Sequence, residues 1–68
     1  MKKQFNMDTF NAWIQDNQDY SMITCKDVYV ARKSNDAITY CTKVLGMMMH
    51  DAWIVANNVA IKEGIRLK

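Results

Sequence analysis

No proline interrupts this chain, and glycine occurs only at Gly46 and Gly64. A compact all-β domain needs a turn every few residues, and those turns draw on Pro and Gly for backbone angles that other residues resist. So few breakers point instead to helices joined by short polar turns. The order of charges agrees, because Asp27, Asp36 and Asp51 precede Arg32-Lys33, Lys43 and Lys62 respectively. Acid first and base last complements a helix dipole.

The 68 residues make one small domain, 1–68, with half of its residues apolar. That proportion separates it from disordered chains, although a core this small is marginal by itself. Hydrophobic spacing divides it into four segments, 8–18, 24–33, 36–45 and 47–63. In the first, Asp8 is the expected cap, and Phe10, Trp13, Ile14 and Asn17 share a face with Trp13 as anchor. In the second, Thr24-Cys25-Lys26-Asp27 reads as a capping box with Asp in place of Glu, whereas Val28-Tyr29-Val30 favours a strand. In the third, Ala37, Ile38, Cys41, Val44 and Leu45 fall on one helical face, with Asp36, Thr39, Thr42 and Lys43 opposite. The fourth is closed by Gly64 as a cap. Its apolar face carries Met48, Met49, Ala52, Trp53, Val55, Ala56, Val59 and Ala60 and is about 160° wide at about 100° per residue.

The fold expected is therefore all-α, a compact bundle of about four short helices with a long C-terminal helix, and Trp13 and Trp53 as the largest core pieces. The rival is an α+β fold with an N-terminal helix, a β-hairpin over 28–44 turning at Ser34-Asn35-Asp36, and the same C-terminal helix.

Several functions are excluded on these grounds. The longest apolar run, Val44 to Met49 across Gly46, is far short of the ~20 residues that span a bilayer, so no membrane association is expected. The basic start, Met1 to Asn6, has no apolar stretch behind it and does not read as a signal peptide. Two cysteines, Cys25 and Cys41, are too few for a disulfide framework and point to the reducing cytoplasm. With His50 they make three metal-capable side chains whose spacing matches no zinc pattern, so no metal is expected. There is no glycine-rich phosphate loop and no nucleophile–base–acid set, and the chain is short for a deep pocket. Neither enzyme activity, cofactor nor small-molecule substrate is expected.

What remains is binding. Met47, Ile54 and Ile61 recur every seven residues opposite the core face, among His50, Asp51, Asn57, Asn58 and Lys62. Such a stripe is covered by the first helix or by Phe5 of the N-terminal arm, or it meets a second copy across a two-fold axis or a helix of another protein. The interface reading makes Met47, Ile54 and Ile61 the contacts, with His50, Asn57 and Asn58 at the rim.

The alternative is a helix-turn-helix over 24–45 that binds duplex DNA. Lys33-Ser34-Asn35 would be its joint, Asn35, Asp36, Thr39, Thr42 and Lys43 would face the major groove, and Arg32, Lys33 and Lys26 would hold phosphates. A net charge of +2 is thin for that role. Lys26-Asp27-Val28 followed by Asp36-Ala37-Ile38 resembles the start of phage antirepressor N-terminal domains. It lacks their turn glycine and the aromatic that follows, so no residue takes a role from the resemblance. Small size and the Lys, Asn and Ile content are similar to those of phage or mobile-element accessory proteins. The expectation is a non-enzymatic interaction module, a regulator or inhibitor that acts through its C-terminal helix.

Overall fold

The computed structural model describes residues 4–66. Among the described residues there are three helices, α1 (Met7–Asn17), α2 (Lys26–Lys43) and α3 (Met49–Arg66). The all-helical expectation holds, but the second and third segments form one rod. The joint expected at Lys33-Ser34-Asn35 is helical, and no strand occurs among the described residues, so the hairpin over 28–44 is not formed. The β-prone run Val28-Tyr29-Val30 is overridden by its neighbours: Lys33, Ala37 and Cys41 recur at helical spacing and are all buried, a row that only a continuous helix presents to one partner.

Local signals set the ends. Asn6, not Asp8, caps α1, its Oδ1 accepting from the Asp8 and Thr9 amides at 2.9 and 3.1 Å. At α2 the Thr24 capping box is not formed, since Cys25 is the cap residue and no side chain bonds the free amides. The far end of α2 is closed by the backbone, with the Val44 and Met47 amides donating to the Tyr40 and Cys41 carbonyls at 2.8 and 2.9 Å. Gly46, at φ 71°, supplies the left-handed turn into α3. Gly64 is not a cap, because α3 continues through it to Arg66.

The short connection 44–48 makes α2 and α3 an antiparallel hairpin. The Ser34 hydroxyl donates to the Ala56 carbonyl at 3.2 Å, and the Lys33 ammonium to Glu63 at 2.8 Å. Along this seam α3 buries Ala52, Ala56, Val59 and Glu63, one row at i, i+4, i+7 and i+11 whose two alanines permit close approach of the helices. Helix α1 lies on another side of α2, so α2 is the central rod. Phe10 is fully buried and rests on Tyr40 with ring centroids 5.3 Å apart, and Phe5 and Trp13 complete the aromatic cluster. Phe10, not Trp13, is the anchor of α1; Trp13 is half-buried at its edge.

The second expected core piece moves further. Trp53 is 54% exposed, and Met48 and Met49 are also open. The reason is geometric: α3 has one helical neighbour, and a single neighbour covers a strip narrower than the broad face the spacing defines. On α2 the two-sided packing has the opposite effect, burying Asp36 on the face expected to be solvated.

Candidate protein-docking face

Because α1 lies on α2, the side of α3 away from the hairpin seam has no helix over it. Among the described residues eight large hydrophobic side chains are exposed, and five of them lie between residues 48 and 61: Met48 at the end of the connection, and Met49, Trp53, Ile54 and Ile61 on α3. Isolated exposed apolar residues are ordinary, but a cluster on one element marks a contact surface. Ile54 and Ile61 are 49% and 61% exposed. They sit one above the other, about 10 Å apart along the axis at about 1.5 Å per residue. His50, Asn57 and Asn58 are exposed around them, as the sequence spacing predicts. Met47 departs from that pattern. It precedes α3 in the connection and packs against the core, half-buried.

Met47 lines a groove of about 520 Å³ beside this face, together with Phe5, Leu45, Met48, Ile54 and Val55. Phe5 packs against the core and lines the groove with Val55, but it does not cover the stripe as the arm was expected to do: Ile54 and Ile61 stay open. The groove is mostly hydrocarbon and suits one large apolar side chain of a partner. Its thioethers, Met47 and Met48, are flexible enough to reshape around one.

The opposite side of the molecule is polar and tightly bonded. The Tyr20 hydroxyl donates to the Asp36 carboxylate, Arg32 lies 3.9 Å from the same oxygen and 3.3 Å from Gln18, and the Tyr20 and Tyr29 rings meet edge-on at 5.3 Å. Burial, and then the bond to the Asp36 carboxylate, hold the Tyr20 phenol well above the usual tyrosine range. Lys33 and Glu63, both buried, pair alongside, with the Lys33 ammonium 5.6 Å from the Tyr29 ring centre. A hollow of about 490 Å³ there is lined by Asn11, Gln15, Gln18, Tyr20, Tyr29 and Lys33. Its ammonium is already engaged by Glu63, so amides and rings are what it offers to solvent. Sequence spacing missed this network entirely. The only available signal was Glu63, an acid on the same helical row as Ala52, Ala56 and Val59.

The residues named for DNA contact share one helix with no turn between them. Lys33 is buried, Arg32 is engaged with Gln18 and Asp36, and the Thr42 hydroxyl donates back to the Ile38 carbonyl at 2.9 Å. The Thr39 hydroxyl lies 3.4 Å from the Asn35 carbonyl, while Asn35 and Lys43 are exposed. Cys41 is buried, which pushes its thiol up, and Cys25 is exposed. Among the described residues no three His, Cys, Asp or Glu side chains gather as metal ligands, and no helix is long and apolar enough to cross a membrane.

Comparison with protein-family models, curated proteins and solved structures finds no match to this chain.

Proposed function

We propose that the chain is a non-enzymatic docking module, a cytoplasmic regulator or inhibitor of the phage or mobile-element accessory type, which acts by covering a protein surface with the outer face of α3. The observation that carries this reading is the exposure of Ile54 and Ile61 on the face of α3 turned away from α2. Trp53 beside them has the side chain most enriched among energetic anchors of interfaces, and His50, Asn57 and Asn58 supply a polar rim. The groove at Met47 and Met48 adds a socket at one end of the face.

Ile54→Asp tests it. Half the side chain is in solvent already, so the fold should lose little, about 0.5 kcal/mol or less as for surface substitutions. A contact at the centre of an interface is worth about 2 kcal/mol or more, which is about a thirtyfold loss of affinity. Immobilised wild-type and Ile54→Asp proteins, checked for equal helicity by circular dichroism, are compared for the partners they retain from the native host. Equal retention of every partner, together with unchanged self-association, would remove this face from the binding reading.

A further inference from the structure

The outer face of α3 is complementary to itself when reversed, and we infer that its occupant is the α3 of a second copy, antiparallel, with a two-fold axis passing between Asn57 and Asn58. The inference rests on the docking role of this face and names its partner.

Three pairs of positions carry it. Asp51 and Lys62 are both exposed and lie on one flank of α3, about 20° apart around the helix but about 16 Å apart along it. That separation prevents them from pairing within one molecule. In the reversed copy, Asp51 comes beside the partner's Lys62 and Lys62 beside the partner's Asp51. A parallel copy would put this flank against the partner's Trp53 flank, leaving Asp51 and Lys62 without their opposite charges, and would align the two helix dipoles unfavourably. Ile54 and Ile61, at the centre of the face, come level with the partner's Ile61 and Ile54, so apolar meets apolar twice.

The third pair explains a residue that the single subunit does not. Gly64 sits inside α3, where glycine costs about 1 kcal/mol relative to alanine. A Cβ added there would meet nothing within 4 Å. Neither backbone angle nor intrachain packing asks for glycine at this position. In the reversed pair, on the flank opposite Asp51, the Trp53 ring lies across the partner's Ala60 and Gly64. A small, bare stretch of helix is the surface an indole can cover closely. The 54% exposure of Trp53 is the counterpart of that bare stretch on the same molecule.

A seam made by one 18-residue helix, about 27 Å long and about 10 Å wide, covers about 270 Å² in projection on each copy, below the ~800 Å² per partner of a standard stable complex. The pair is therefore weak and concentration-dependent, and a tighter protein partner competes with it for the same face.

The test uses the full chain carrying Cys25→Ser, so that the one exposed cysteine is removed. Asn57→Cys should be captured as a dimer by a short bis-maleimide, because residues 57 of the two copies flank the axis. His50→Cys should not, because its two copies lie about 22 Å apart along the seam. Sedimentation equilibrium at low salt should show Asp51→Lys and Lys62→Glu each weakening the dimer about five- to tenfold, and the double reversal restoring it. Equal capture at both positions, no rescue by the double reversal, or a monomer throughout the concentration range would overturn the pairing. A monomer that still retains a host protein in an Ile54-dependent way sinks the pairing and leaves the docking role standing. Loss of both sinks both.

Discussion

The ion pair between Lys33 and Glu63 joins residues 30 apart in sequence across the α2–α3 seam, at 2.8 Å, with side chains only 6% and 3% exposed. Each ion loses several kcal/mol of hydration on burial, and their attraction offsets this only while both are present. Glu63→Gln preserves shape and leaves a carbonyl for the Lys33 ammonium, but the positive charge is then uncompensated. The expected loss is about 3–5 kcal/mol. A core of this size supplies about the same amount in total, so the variant should be largely unfolded at 37 °C. Its melting temperature should fall by at least about 12 °C, at 4–8 °C per kcal/mol for a domain of this length. Lys33→Met/Glu63→Leu, which removes both charges and fills the space with hydrocarbon, should melt near or above the wild type. The assay is far-UV circular dichroism, melted thermally and titrated with urea, on the single variant and the double at dilute concentration and in 0.05 and 0.5 M salt. A single-variant loss under about 1 kcal/mol, the range of solvent-exposed pairs, or strong sensitivity to salt, would refute the reasoning. Either result would mean that water reaches the seam at this end.

Other expectations follow from single positions. Gly64→Ala should stabilise the isolated subunit by about 1 kcal/mol, since α3 gains a helix former and the new Cβ meets open space; a lower melting point in dilute solution would contradict this. Gly46→Ala should cost about 1–2 kcal/mol although nothing lies near its Cβ, because φ is 71° there; urea midpoints measure it. Tyr20 adds a pH dependence with a defined sign. Its folded pKa is raised, so its contribution is fully present below the unfolded value of about 10 and is lost as pH climbs from there toward the folded value. Ultraviolet titration should show the Tyr20 phenol, identified by its loss in Tyr20→Phe, resisting ionisation until the chain unfolds, and that variant should flatten the stability decline just above pH 10.

The arrangement ties stability and proposed function to different surfaces. One side of the hairpin is closed by a charge pair and a tyrosine–carboxylate bond, while the other leaves Trp53, Ile54 and Ile61 in water. Changes on the docking face are therefore expected to alter association far more than folding, which makes that face testable by substitution.

The predominance of helix and the apolar periodicity of α3 were legible in the sequence alone, whereas the hairpin over 28–44 stayed a rival until packing decided it. They follow from local chemistry: no proline, two glycines, and the acid-to-base order along the last three segments. That Ile54, Ile61, His50, Asn57 and Asn58 share a side was legible for the same reason, since spacing along one helix fixes which residues do so. Which apolar side chains are buried was not legible, because burial depends on how many neighbours a helix acquires. Trp53, Met48 and Met49 belong to a face that would be core under two neighbours and is surface under one. The fusion of two segments into α2 and the burial of Lys33, Asp36 and Glu63 likewise depend on partners 16 to 30 residues distant. Periodicity reports the sides of a rod; only tertiary packing decides which of those sides is covered.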